Sequence, residues 1–318
     1  MSDRMKKKIR VLAIVNLFPT EENPADTPAN KDQIDALRKS GVDIDVLHIK
    51  REKKINYLLA LWKVFLLNFK PHQYDLVHAY YGHCGLIALA QFRYPVIITY
   101  LGSDILHPKE KFFGKITAKL ASRIIVMSEE MKQASGRQDA EVIPTGINTE
   151  IFKPEPRDQA RQALNLPEDK KLVLFPWNPE RPVKRFDIVS KTMDILKSHG
   201  SDVELVTIYQ KPPDIVAQYM NASDVLILAS DHEGSPLSVR EAMACDLPIV
   251  SVDAGDVREV IAQVENCVIA AREPAEMASA IEEILETGKR SNGSSFIGKE
   301  SALEAAKKVL DVYQIILK

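Results

Sequence analysis

Cysteine is scarce in this chain: Cys84, Cys245 and Cys267 are odd in number and far apart. They offer neither a disulfide framework nor a metal-ligand spacing, so reduced thiols are expected. Long apolar runs are missing too. None reaches the roughly 18 residues that a membrane span needs, and the charged start Met1–Lys8 has no apolar signal core. A cytoplasmic protein, at most peripherally bound at the inner membrane face, is the expectation. An Asp-x-Asp metal signature occurs only as Asp43 and Asp45, where strand alternation accounts for it, and no metal site is expected. Basic residues do not dominate either: 42 Lys and Arg face 44 Asp and Glu, for a net charge of −2. Without aromatic–basic interleaving, that balance argues against nucleic acid as a partner.

What is present is an ordinary globular composition. The 318 residues are 45% hydrophobic, enough for two domains with real cores. The charge is unevenly shared. Residues 1–150 carry 22 basic against 17 acidic groups, or +5, and the remainder carries 20 against 27, or −7. A basic first half suits an anionic acceptor or membrane surface, and a solvated surface explains it as well.

Short apolar runs alternate with helical patterns along the chain. In the first half, Arg10–Val15, Val42–Leu47, Asp75–Ala79, Pro95–Thr99 and Arg123–Met127 read as strands. In the second half, Lys171–Phe175, Val203–Val206, Val225–Leu228, Pro248–Ser251 and Cys267–Ile269 repeat the rhythm. Strands separated by helices imply parallel sheets covered on both faces, hence two doubly wound α/β domains. The proline- and glycine-containing stretch Ile143–Pro156 marks the boundary. The expected division is 1–150, 151–299 and a terminal helix, 300–318. Ligands of such sheets bind beyond the carboxyl ends of the strands, which places a site between two facing domains.

The most informative stretch is Ser230–Val250. It follows the buried run Val225–Leu228, and Ser235 with Pro236 predicts a helix N-cap and a first-turn proline. Such a helix end suits a phosphate. Glu233 precedes it and Glu241 lies within it, and carboxylates accept well from paired sugar hydroxyls. A nucleotide-sugar site is one reading; an acidic loop with a surface glutamate is the other.

This segment resembles the donor-binding signature of family-4 glycosyltransferases, a glutamate, seven residues and a second glutamate around a strand, loop and helix. The likeness continues through Ala242-Met243-Ala244, Pro248–Ser251 and Gly255–Val260. The resemblance implies a GT-B-like α/β fold, two Rossmann-like domains facing an interdomain cleft, with the terminal helix crossing back to the first. It further implies a retaining, metal-independent transferase that needs no cofactor beyond a nucleotide diphosphate sugar as donor. A saccharide or lipid-linked acceptor would receive the sugar, for polysaccharide or glycoconjugate synthesis. On that likeness Gly234, Ser235, Leu237, Ser238 and Glu241 contact the donor, and Glu233 orients the sugar. Arg181 and Lys184 stand where similar enzymes neutralise the departing diphosphate, although Pro176-Trp177 replaces the family's Gly-Arg pair. Tyr209–Val216 occupies the loop that cradles the base in such enzymes, and nothing in it separates uracil from guanine.

In the first half, Gly102-Ser103-Asp104 resembles a family turn in which Asp104 meets the acceptor or transferred sugar; helix capping is the rival role. Leu101 stands where many relatives carry histidine. That departure keeps open a catalytically silent nucleotide-sugar-binding or regulatory subunit, beside an epimerase or phosphorylase of the same architecture. His78 and His83 follow another strand as acceptor-side candidates, although a satisfied structural histidine is the preferred reading of each. Finally, Ile55–Phe69 is apolar around most of its circumference and rimmed by Lys50, Arg51, Lys53, Lys54, Lys63 and Lys70 against Glu52. A packed helix is the preferred reading, and peripheral contact with an anionic membrane the other.

Overall fold

A computed structural model describes residues 8–107 and 110–318; the charged start up to Lys7 lies outside them. The chain forms two compact units, residues 1–146 with 302–318, and residues 147–301.

The first unit is built on six strands: β1 (Arg10–Val15), β2 (Asp43–His48), β3 (Leu76–Tyr80), β4 (Val96–Thr99), β5 (Arg123–Val126) and β6 (Glu141–Val142). They lie in the order β2-β1-β3-β4-β5-β6, and every pairing is parallel. Helices on both faces bury the central strands completely, which is why β3 and β4 read as unbroken apolar runs. The helix Ala302–Ile316 belongs to this unit. Its buried stripe, Ala305, Ala306, Val309, Val312 and Tyr313, recurs at helical spacing and packs beside the helix Pro28–Lys39.

The second unit holds β7 (Lys171–Phe175), β8 (Val203–Thr207), β9 (Val225–Leu228), β10 (Ile249–Ser251) and β11 (Cys267–Ile269), also all parallel, in the order β11-β10-β9-β7-β8. In both sheets the strand order reverses once, at β1/β3 and at β7/β9. The crevice beyond the carboxyl ends at such a reversal is where open sheets take ligands.

Ile55–Phe69 departs from the packed-helix expectation. A helix, Lys54–Phe65, and a tighter turn, Leu66–Phe69, bury only Ala60, Val64 and Leu67 fully. Most of the larger apolar side chains face solvent instead. Among the described residues no helix is long and apolar enough to cross a membrane.

Candidate functional site

The loops after β7 and β9 meet at the reversal point of the second sheet. Arg272 fixes the start of the β9 loop, donating to the carbonyls of Ala229 (3.2 Å), Ser230 (2.7 Å) and Asp231 (3.2 Å). Asp231 N–H donates to Val183 O at 2.9 Å, and Arg185 bonds the Asp231 carboxylate at 3.0 Å, which ties this loop to the one after β7. Gly255 closes the other side. With φ at +62°, a Cβ there would stand 2.5 Å from Gly234 O and 2.9 Å from Glu233 O, so only glycine lets the segment approach.

The helix after this loop starts later than the serine–proline pattern predicts. It runs Leu237–Ala244, with Pro236 in the cap position at ψ 114° and no side chain capping it. Extended backbone at Pro236 leaves Ser235 outside the turn, so its hydroxyl does not cap, and the first-turn N–H groups gain no side-chain acceptor. Gly234, Ser235 and Leu237 are half-buried at this end; Ser238 is buried and Glu241 half-buried. Arg240, bonded to Asp256 at 2.7 Å, anchors the helix to the loop beyond β10.

Lys184 ends the turn Pro182–Lys184 and is only 5% exposed. Its Nζ lies 2.5 Å from Glu233 Oε1 and 4.7 Å above the Trp177 ring. Burial lowers the Lys184 pKa from the usual lysine value, and the Glu233 carboxylate opposes that shift. Arg181, at the start of the same turn, is exposed. Two residues assigned separate tasks on sequence, phosphate for Lys184 and sugar for Glu233, are therefore an ion pair here. Trp177 was legible only as a departure from a Gly-Arg pattern. The structure makes it the aromatic platform under the lysine, a cation–π contact worth about 1 kcal/mol. Its signal was its place just past a strand's carboxyl end. Tyr209, in the loop after β8, is exposed.

In the first unit, Asp104 is buried and accepts from three backbone N–H groups, Gly82 (3.0 Å), Leu101 (3.1 Å) and Gly102 (3.0 Å). Gly102 sits at φ +131°, a conformation that side chains resist. The carboxylate thus ties the loops after β3 and β4 together. It is directed at backbone, in line with the capping role weighed beside a sugar contact. Ser103 is exposed, with its Oγ 2.9 Å from Tyr81 Oη, and Tyr81 also donates to Glu110. His83 stacks on Tyr81. These residues, with Gly102, form one cluster past β3 and β4; Tyr81 and Glu110 were not among the sequence candidates.

His78 leaves that group. It lies inside β3, fully buried, with Nδ1 2.6 Å from Tyr313 Oη and Nε2 2.7 Å from Thr99 Oγ1. Both ring nitrogens have partners, so it is a core histidine that pins the terminal helix to the sheet. Burial pushes its pKa down from 6.5 to about 3. Burial acts on Asp104 in the opposite sense, pushing its carboxyl up from 3.8 to about 6 against the three N–H groups.

The signs of these shifts make a pH prediction. Between about 3 and 6.5 the unfolded chain protonates His78 and the native core does not, so this contribution is lost as pH falls. Between 3.8 and about 6 the fold keeps a proton on Asp104 that the unfolded chain releases, so that contribution is lost as pH rises. The two offset each other in one window. Melting curves of His78→Gln, relative to wild type, should fall from pH 4 to pH 6, and those of Asp104→Asn should climb. Parallel curves for the two variants would refute both assignments.

Comparison with known proteins matches both units to glycosyltransferase families. Residues 7–151 match the model "Glycosyltransferase Family 4", and residues 172–287 match "Glycosyl transferases group 1". TuaC of Bacillus subtilis, a glycosyltransferase named for teichuronic acid biosynthesis, is 23% identical over 86% of this chain and 88% of its own. Among solved structures, sucrose-phosphate synthase from Thermosynechococcus elongatus superposes with a TM-score of 0.76 at 18% identity, over 97% of this chain and 99% of that one. Anabaena Alr3699/HepE, solved in complex with UDP and glucose, gives 0.68 at 19% identity, over 96% and 100%.

Proposed function

We propose, because this chain is a family-4-like glycosyltransferase with the GT-B fold, that it moves a sugar from a nucleotide diphosphate donor to a saccharide or lipid-linked hydroxyl with retention and without a metal. The observation that carries this reading is the buried Lys184–Glu233 pair over Trp177, at the reversal of the second sheet. A diphosphate entering that crevice offers Lys184 a stronger partner than Glu233 does, because it brings more negative charge. Lys184 then turns to the phosphate, and Glu233 is released to a hydroxyl of the sugar. Arg181 and the uncapped end of the Leu237–Ala244 helix add positive potential on the same side.

The bond from the anomeric carbon to the diphosphate oxygen breaks as charge grows on the leaving group. The acceptor oxygen bonds that carbon from the same face and passes its proton to the departing phosphate oxygen. Positive side chains would supply the stabilisation that a metal supplies elsewhere. The HepE complexes with UDP and with UDP-glucose make uridine nucleotides the first to test.

A thermal-shift screen of nucleoside diphosphates and their sugars should raise the melting temperature for one base. Glu241→Ala should then weaken that nucleotide roughly ten- to hundredfold, the loss of one charge-assisted bond to ribose. Unchanged calorimetric affinity would remove Glu241 from the site, and a product of inverted anomeric configuration by NMR would end the retaining assignment.

A further inference from the structure

The first unit carries two helices whose apolar stripes point outward. On the helix Lys54–Phe65, Ile55, Leu58, Leu59 and Trp62 recur at helical spacing, and Leu58 and Trp62 are 63% and 58% exposed. On the helix Lys111–Leu120, the inward side holds Gly114, Thr117 and Ala118. Its outward side shows Phe112 at 67%, Ile116 at 36% and Leu120 at 64%. Both helices pack against the short helix Gly82–Ala88. Asn68 links the turn carrying Phe69 to the loop carrying Phe92, donating to Ala90 O and accepting from Phe92 N–H. Those two phenylalanines are 72% and 81% exposed. Apolar patches of this extent on a water-soluble surface mark a contact with something else.

Charge indicates what that is. The same elements bear Lys53, Lys54, Lys63, Lys111, Lys115 and Lys119, and among the described residues none of the six pairs with a carboxylate. Their acids are Glu52 and Glu110, the second of which accepts from Tyr81. A second copy docked on this face by a twofold axis would set its lysines against the same lysines. Aromatic and aliphatic side chains ringed by unpaired lysines match the interface of a negatively charged membrane.

We propose that the outer face formed by the helices Lys54–Phe65 and Lys111–Leu120 docks on an anionic lipid bilayer. The apolar stripes enter the boundary between headgroups and acyl chains, and the lysines meet lipid phosphates. This inference stands apart from the donor-site reading and is tested without donor or turnover.

Wild-type protein should sediment with phosphatidylcholine vesicles containing phosphatidylglycerol and stay in solution with phosphatidylcholine alone. Binding should fade as salt shortens the reach of the charges below about 10 Å. Removing one lysine should cost about fivefold in partitioning, equivalent to about 1 kcal/mol, and Lys115→Glu with Lys119→Glu should abolish sedimentation. Phe112→Asp with Leu120→Asp should also abolish it while leaving the melting temperature unchanged, since these side chains are 67% and 64% exposed. No sedimentation at low salt, equal binding to neutral vesicles, or full binding by the folded Phe112→Asp/Leu120→Asp protein would each overturn the proposal. So would dimerisation by light scattering, lost on Leu58→Asp with Trp62→Asp, in protein that ignores vesicles; it would assign the face to a second copy.

Discussion

Lys184→Ala is expected to lower affinity for the nucleoside diphosphate roughly ten- to hundredfold and to leave affinity for the bare nucleoside nearly unchanged. The side chain has two partners in the free protein, the Glu233 carboxylate at 2.5 Å and the Trp177 ring at 4.7 Å, and neither is a ribose or base ligand. Deleting it strands Glu233 in a largely desolvated place, so a drop in stability should accompany the lost affinity. Glu233→Gln separates the two tasks. It removes the group that competes with phosphate for Lys184, so diphosphate binding should hold or tighten severalfold. Transfer should slow because the sugar loses its carboxylate. Calorimetry with nucleoside and diphosphate side by side decides the matter. Equal losses for both ligands in Lys184→Ala would contradict a phosphate role.

The largest effect on stability should come from Asp224→Ala. Asp224 stands immediately before β9 and accepts from Arg161 (2.7 Å), Arg157 (2.8 Å) and the Leu172 N–H (2.6 Å). Arg161 is itself buried and also donates to the carbonyls of Ala222, Pro167, Glu168 and Lys170. Removing the carboxylate leaves a buried guanidinium without its counter-charge, a loss of about 3–5 kcal/mol. The transition of the second unit should therefore move to lower temperature in calorimetry, with the first unit's unmoved. Asp224→Asn, which keeps an acceptor for Leu172 N–H, should lose less. A shift below about 1 kcal/mol for Asp224→Ala would show that solvent reaches this cluster.

The strands were legible because parallel strands buried on both faces write themselves as apolar runs; Arg10–Val15, Lys171–Phe175, Val225–Leu228 and Cys267–Ile269 match to the residue. Glu141–Val142 was not legible, being a two-residue edge strand that begins with an exposed glutamate. Ile55–Phe69 showed that a helix forms there, but a segment apolar around most of its circumference does not say which side is buried. His78 is the structural histidine that the sequence reading preferred, although its partners were not legible. Its position near a strand end suggests a cleft, yet β3 continues to Tyr80, and its partner Tyr313 lies 235 residues away in sequence. Lys184 and Glu233 could each be singled out, but their pairing could not, because 49 residues separate them and only the adjacency of β7 and β9 joins them.

The route of the chain sets an order on how the protein is made. Residues 147–301 are complete before the helix Ala302–Ile316 leaves the ribosome. Until then the first unit lacks Val309, Val312 and Tyr313, and the sheet side that they cover is open. At about 5–20 residues per second, translating the intervening segment takes on the order of ten to thirty seconds. The domain begun first is thus finished last, and during that interval the nascent chain presents an apolar trough around His78 that a chaperone, or a misplaced helix of its own, can occupy.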